Sequence, residues 1–195
     1  MDFWKIYQNA RASGDFGQQR LYLRSRDRIH ASLSAVEAYG ANLDPDRGLS
    51  ASYGEGTRYV LAKDLTYDLL VSLYDVNSSS ALILRSSSPP GKRTIAEIRR
   101  RLGRLKKPNL EMRAIGLQNG DRAMLDALGR IREVARCNLQ EVDLFGSDTR
   151  HVAFDLKVGM PLDLLLLNRV YLPGELANRL APDGFGGPGS ELKFV

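Results

Sequence analysis

Hydrophobic positions recur at two spacings along this 195-residue chain, and the two spacings predict different elements. Apolar residues three or four positions apart fall on one side of a helix, whereas strict alternation is typical of a strand. The helical spacing holds over four stretches, residues 18–39, 63–76, 94–107 and 121–135. In residues 63–76 the tyrosine and valine content leaves a strand open as an alternative, because both residue types favour strands.

The most distinct of these helices is the one predicted over residues 94–107. Thr94 followed three residues later by Glu97 is the pattern of a capping box, in which two side chains bind free amides of the first turn. Pro108 is expected to end the helix, because proline cannot continue the hydrogen-bonding pattern. The apolar stripe of this helix consists of Ile95, Ile98, Leu102 and Leu105.

Shorter apolar or alternating runs predict strands at residues 81–85, 109–117, 139–145, 151–158 and 162–172. Residues 146–150 have a typical length for a hairpin loop, so we expect the two strands on either side of them to pair. Helices and strands alternate in the middle of the chain, and strands follow one another later. This order predicts an α+β domain, with a mixed α/β domain as the alternative, in which a partly antiparallel sheet packs against amphipathic helices.

The same pattern divides the chain into three parts. Residues 1–50 are predicted to be an N-terminal helical segment, and residues 51–181 are predicted to form the α+β core domain. Residues 182–195 are the expected tail, because residues 182–190 contain four glycines and two prolines. Such a composition is typical of a flexible or extended arm.

Composition excludes several classes of protein. The chain is 43% hydrophobic, too apolar for a disordered protein, and no apolar run approaches the roughly 18 residues of a membrane span. Cys137 is its one cysteine, which excludes an internal disulfide framework, and its two histidines exclude a histidine-rich metal site. Residues 1–5 lack the basic and apolar regions of a signal peptide. We therefore expect an intracellular, cytoplasmic protein without a membrane span.

Positive charge is concentrated in the middle of the chain. Residues 85–136 contain 14 basic and 5 acidic residues, a net charge of +9, whereas the rest of the chain contains 14 basic and 18 acidic residues, a net charge of −4. A concentrated positive charge attracts polyanions such as nucleic acid. The alternative is a solvated surface rich in arginine, since 21 of the 28 basic residues are arginines.

Basic residues follow the polar side of the helix predicted over residues 94–107, opposite its apolar stripe. The loop at residues 86–91 leads into this helix, whose free backbone amides and dipole favour an anion. We therefore expect a row of cations that contacts the phosphates of DNA or RNA. The predicted contact residues are Lys92, Arg93, Arg100, Arg104 and Lys107.

A second candidate site lies in the hairpin predicted over residues 139–158. Asp155 and Lys157 are two residues apart, which places them on one face of a strand, and Asp143 lies on the strand before. An aspartate followed by Asp-x-Lys on an adjacent strand resembles the PD-(D/E)XK nuclease superfamily. The resemblance implies that Asp143 and Asp155 bind a divalent metal such as Mg²⁺ and that Lys157 orients or activates the attacking water. The alternative is an ordinary hairpin with one polar face.

Residues Gly159 to Leu176 carry a competing resemblance. The stretch Gly159-Met160-Pro161-Leu162, followed later by Tyr171-Leu172-Pro173-Gly174, is similar to the last hairpin of the chorismate-lyase-like fold. That resemblance implies a domain that binds a small molecule.

Together these patterns predict an intracellular nucleic-acid-associated protein that binds the phosphate backbone through a basic helix. The nuclease resemblance adds a metal-dependent, nuclease-like activity as an extension of this function. The first alternative is a non-enzymatic structural or adaptor protein that forms homo-oligomers through its apolar run at residues 162–172 and its amphipathic helices. The second alternative is the small-molecule-binding domain.

Overall fold

A computed structural model of the protein describes residues 8, 21–23, 30–117, 121–144, 149–165 and 193–194. The helices are α1 (Leu33–Glu37), α2 (Lys92–Leu102) and α3 (Arg122–Ala135). The strands are β1 (Leu21–Leu23), β2 (His30–Ser32), β3 (Gly40–Asn42), β4 (Arg47–Ser52), β5 (Tyr59–Leu65), β6 (Leu69–Asp75), β7 (Ser80–Ser86), β8 (Leu110–Gly116), β9 (Asn138–Leu144), β10 (Arg150–Asp155), β11 (Met160–Leu165) and β12 (Lys193–Phe194).

The strands form two sheets. The first has the order β1-β9-β8-β6-β7-β4-β12, and the second has the order β2-β11-β10-β5-β3. Both sheets are mixed: β6 is antiparallel to β7 and β8, β8 is parallel to β9, and β3 is parallel to β5. Helices packed with partly antiparallel sheets confirm the predicted α+β class.

The first sheet is buried on both faces. Residues of β6 alternate between two cores: Leu69, Val71 and Leu73 pack in the same cluster as residues of α2 and α3, whereas Leu70 and Tyr74 pack with residues of the second sheet. The order of layers is therefore two helices, first sheet, second sheet. This arrangement leaves α2 and α3 on the outside of the molecule.

The second sheet packs between the first sheet and α1. On its inner face, the Phe154 ring lies 5.8 Å from the Tyr74 ring of the first sheet, measured between centroids. On its outer face, Leu61 and Ala153 pack with Val36 of α1. The side chains alternate between these faces because successive residues of a strand point to opposite sides.

The helix predicted over residues 63–76 is wrong, and the alternative of a strand is confirmed. These residues form the end of β5 and all of β6. Every residue of β6 is buried, so apolar side chains point to both faces of the strand and its sequence lacks the regular apolar–polar alternation of a half-exposed strand. A four-residue spacing of leucines arises by chance in a strand that is buried on both faces.

The helix predicted over residues 18–39 is also wrong in the part that the structure describes. Residues 21–23 and 30–32 are strands, and only α1 is helical between residues 30 and 39. The expected boundary at residue 50 falls inside β4, which pairs with β7 from Arg47 to Ser52. Residues 30–50 are therefore part of the two sheets rather than a separate helical segment.

Several elements of the middle of the chain are confirmed. The predicted strands at residues 81–85, 109–117 and 139–145 correspond to β7, β8 and β9, and the helix predicted over residues 121–135 is α3. Asp121 caps α3 by accepting a hydrogen bond from the Ala123 amide at 2.8 Å. These elements carry local signals that do not depend on distant partners.

Helix α2 differs from its prediction at both ends. It begins at Lys92 after the N-cap residue Gly91, with no side-chain cap, so the capping box of Thr94 and Glu97 is not formed. It ends at Leu102 rather than at residue 107, because Gly103 follows and glycine is a poor helix former. Residues 103–107 form a turn instead.

The predicted hairpin of residues 139–158 is wrong. Strand β9 pairs with β1 and β8 in the first sheet, whereas β10 pairs with β5 and β11 in the second. The chain thus crosses from one sheet to the other between β9 and β10. A five-residue connection has the length of a hairpin loop but does not by itself fix which strands pair.

The C-terminal predictions are only partly described. The predicted strand at residues 162–172 is β11 as far as residue 165, and the rest of it lies outside the described residues. The same is true of residues 171–176 in the second resemblance and of residues 182–190 in the expected tail. Among the described residues, no helix has both the length and the apolar character that crossing a membrane requires.

Candidate nucleic-acid interface

Helix α2 has one buried and one cationic face. Thr94, Ile98 and Leu102 are buried against the first sheet. The opposite side is exposed and carries four basic residues and one alanine, and no acidic residue is exposed there. These residues are Lys92, Arg93, Ala96, Arg99 and Arg100. The amphipathic pattern that folds the helix therefore also directs these cations to solvent.

The positive charge continues beyond the end of α2. Arg104, Lys106 and Lys107 are exposed in the turn that follows the helix. Residues 92–107 contain eight basic residues and one acidic residue, a net charge of +7. One continuous segment thus holds most of the concentrated charge that the sequence predicts.

Glu97, the one acidic residue of this segment, binds two arginines. Its Oε2 accepts a hydrogen bond from Arg100 Nε at 2.6 Å, and its Oε1 accepts one from Arg101 Nε at 2.8 Å. The hydrogen bonds from Arg100 and then Arg101 lower the pKa of the Glu97 carboxyl to about 2. Arg100 is 50% exposed, and this carboxylate compensates its charge.

Six cations of this segment are uncompensated by any other described residue. Within the described part of the chain, their side chains make no ion pair or hydrogen bond. We call this set the basic surface, and it consists of Lys92, Arg93, Arg99, Arg104, Lys106 and Lys107. Four of the five predicted contact residues belong to it. Arg99 and Lys106 were not predicted, although the run Arg99-Arg100-Arg101 is a signal that the sequence contains.

The loop before α2 differs from a phosphate-binding loop. The Ser87 amide donates a hydrogen bond to Asp46 Oδ1 at 2.8 Å, and the Ser87 hydroxyl donates one to Asp46 Oδ2 at 2.8 Å. A carboxylate of the protein thus already accepts the hydrogen bonds that an anion would need from Ser87. The predicted anion contacts at this end of the helix are left to the exposed side chains of Lys92 and Arg93.

Two arginines of the basic stretch at residues 85–136 are internal. Arg85 is buried, and its Nε donates to Asp68 Oδ2 at 2.6 Å. Arg113 is also buried, and its Nη2 donates to Glu111 Oε2 at 2.8 Å. Their charges are paired inside the fold, so the net charge of that stretch exceeds the charge available on its surface.

Asp143, a predicted metal ligand, lies between the two sheets. Its neighbour Ile115 on β8 packs in the core between the sheets, and Asp143 shares that face and is 0% exposed. Its Oδ1 forms an ion pair with Nη1 of Arg150, the first residue of β10, at 2.9 Å. The same Nη1 donates a hydrogen bond to the Asp143 backbone carbonyl at 2.9 Å. The carboxylate is therefore held by a cation of the protein.

Asp155, the other predicted ligand, is the last residue of β10. Phe154, the residue before it, points into the core between the sheets, so the Asp155 side chain points to the other face of the second sheet. It accepts hydrogen bonds from Arg58 Nη2 at 3.2 Å and from the Lys157 amide at 2.8 Å. These contacts stabilise the turn at residues 156–159, where the Lys157 side chain is exposed.

The structure does not bring the predicted nuclease residues together. Arg150, which binds Asp143, is five residues from Asp155 along β10, about 17 Å at 3.3 Å per residue. The two aspartates also point to different faces of the sheet, so they cannot share one Mg²⁺ ion. Among the described residues, no group of three or more His, Cys, Asp or Glu side chains could hold a metal ion.

The single cysteine of the chain is buried. Cys137 is buried in the core beneath α3, and burial raises its pKa to about 11. It therefore packs as a small apolar side chain.

The described residues of α2 and of the turn after it thus concentrate exposed positive charge. The basic surface offers guanidinium and ammonium donors, which suit phosphate oxygens. A comparison of the chain with models of known protein families and with curated proteins finds no match.

Proposed function

We propose that the protein binds nucleic acid by contacting the phosphate backbone with its basic surface. The observation that carries this proposal is the presence, within residues 92–107, of six exposed cations whose side chains have no ion-pair partner among the described residues. Exposed charges on folded proteins usually mix both signs, and pairs such as Glu97–Arg100 are the common case. A set without such partners favours a polyanionic ligand.

The expected interaction is independent of base sequence. Lysine and arginine side chains that contact phosphates release condensed counterions, which makes the affinity fall as salt is added. Such contacts position a nucleic acid but do not identify its bases. The proposal needs no metal ion, so binding should persist when divalent cations are removed with EDTA.

A pair of matched charge reversals tests this proposal. Arg99→Glu changes the basic surface, and Lys157→Glu makes the same change of charge at an exposed turn of the second sheet. We expect Arg99→Glu to weaken binding of a single-stranded oligonucleotide at 50 mM salt by about tenfold, and Lys157→Glu to weaken it by less than about twofold. Fluorescence anisotropy with labelled oligonucleotides of two unrelated sequences measures both effects.

Two results would contradict the proposal. One is the absence of binding by the unmodified protein at 50 mM salt. The other is an equal loss of affinity in Arg99→Glu and Lys157→Glu, because such a loss would reflect net charge alone.

A further inference from the structure

A cleft of about 170 Å³ lies beside α2 on the helix-covered face of the first sheet. Small residues of β4 account for it. Gly48, Ser50 and Ser52 are two residues apart along the strand and therefore share one face of it. This face points towards the helices, because the atoms nearest to Gly48 belong to Leu84 and Phe194, which pack in the core between the first sheet and the helices. Serine side chains at these positions leave space that a larger residue would fill.

The cleft has an apolar floor and a polar rim. Its floor is formed by side chains of β6, β7 and the α2 region, which are Leu73, Leu82, Leu102 and Leu105. Its rim is formed by Ser50, Ser52, Ser80, Glu55 and Arg101. Hydroxyl groups both donate and accept hydrogen bonds, the carboxylate accepts them and the guanidinium donates them.

Arg101 is held in a fixed position at this rim. Its Nη1 donates to Ser50 Oγ at 2.7 Å, its Nε donates to Glu97, and its guanidinium carbon lies 4.7 Å from the centre of the Phe194 ring. The side chain remains 23% exposed. It thus presents part of a planar, oriented guanidinium group at the cleft.

The cleft adjoins the basic surface. One of its lining residues, Leu105, lies between Arg104 and Lys106 of that surface, in the turn after α2. A polymer whose phosphates contact Arg104 and Lys106 therefore passes close to the opening of the cleft. The positive charge of the surface and the position of the cleft both favour a nucleic acid as the ligand.

We propose that this cleft receives one unpaired base of a single-stranded nucleic acid. The inference rests on the proposed function, since the phosphates bring the strand to the cleft. A cavity of about 150 Å³ holds one benzene ring, so the cleft has room for a ring of pyrimidine size. Apolar side chains contact the faces of the ring, while the polar rim binds its edge. Bases stacked and paired in a duplex cannot enter.

The test compares two oligonucleotides that carry the same number of phosphates. One is an eight-nucleotide oligothymidine, and the other is an eight-nucleotide strand in which every position is abasic. Backbone contacts alone predict equal affinity for the two. A base in the cleft predicts that oligothymidine binds about tenfold more tightly, a difference of about 1.4 kcal/mol.

Substitutions in the cleft test whether the preference for oligothymidine arises there. Ser52→Leu places a larger side chain in the cleft and is expected to remove the preference for oligothymidine while keeping the affinity for the abasic strand. Asn42→Leu is the control, because Asn42 is an exposed strand residue of the second sheet. If Ser52→Leu fails to fold, Ser80→Leu fills the cleft from the neighbouring strand.

The outcomes separate this inference from the proposed function. Equal affinity of the unmodified protein for both strands would overturn the base-binding cleft and leave backbone binding intact. A preference that survives in folded Ser52→Leu or Ser80→Leu would also overturn it. Failure of both strands to bind at 50 mM salt would overturn the proposed function itself.

Discussion

Glu97 determines how much of the positive charge on α2 is available to a ligand. Arg100 looks like a free cation on a helical wheel, but it lies three residues after Glu97 and forms an ion pair with it. Arg101 lies four residues after Glu97 and binds the same carboxylate. The spacing of three and four residues is visible in the sequence and predicts both ion pairs. The same Glu97 also fits a capping box with Thr94, but that box does not form.

The pKa of Glu97 tests these two contacts. A ¹³C NMR titration of its carboxyl carbon should give a value of about 2, well below the ordinary value of 4.5. The folded-state pKa is lowered, so the stabilisation by these pairs is complete above the unfolded-state pKa and is lost as the pH falls from about 4.5 towards 2. A measured pKa near 4.5 would mean that the two arginines do not hold the carboxylate in solution.

At the scale of elements, β8 ends where two backbone segments approach closely. Gly116 has φ of +115°, and the Leu117 amide donates a hydrogen bond to the Asp68 carbonyl at 3.0 Å. A Cβ atom on Gly116 would lie 2.1 Å from that carbonyl oxygen. Only glycine fits this position without displacing the chain.

Gly116→Ala should therefore lower the free energy of unfolding by about 2–4 kcal/mol, through backbone strain and steric overlap. Gly54→Ala is the control, because the nearest atom to its added Cβ is Ser52 Oγ at 3.8 Å. That control should change the free energy of unfolding by less than about 0.5 kcal/mol. Urea denaturation followed by circular dichroism measures both variants, and equal stability would contradict the close approach at β8.

Elements with local signals could be predicted, and elements that depend on distant partners could not. Helix α3 has a capping aspartate and an amphipathic stripe, so its sequence alone indicates both its type and its start. Strand β6 is buried by helices on one face and by the second sheet on the other. Its own sequence does not show that these two elements will cover it. The same reason explains why β9 and β10 were expected to pair.

In the candidate site, too, features with local signals could be predicted and features that depend on distant partners could not. The cationic face of α2 follows from helical spacing and could be predicted, including Lys92 and Arg93. The separation of Asp143 from Asp155 could not, because it depends on which sheet each strand joins. The cleft beside α2 also depends on tertiary packing, since it forms only where small residues of β4 meet the side of the helix.

At the scale of the whole molecule, the layered fold separates buried from available charge. Arg85 and Arg113 are paired inside the structure, whereas α2 lies on the outer layer and presents the basic surface. The net charge of +5 therefore underestimates the local field at this surface, where residues 92–107 carry +7. Binding that depends on this field must respond strongly to salt.

The salt dependence of binding tests the central claim most directly. The association constant for a single-stranded oligonucleotide, measured from 50 to 300 mM salt, should fall with a log–log slope of about −4 if all six cations contact phosphates. The variant Arg99→Gln/Lys106→Gln should reduce the steepness of that slope by about 1.4, and Lys157→Gln should leave it unchanged. A slope near zero, or the same slope in Arg99→Gln/Lys106→Gln as in the unmodified protein, would contradict phosphate binding by the basic surface.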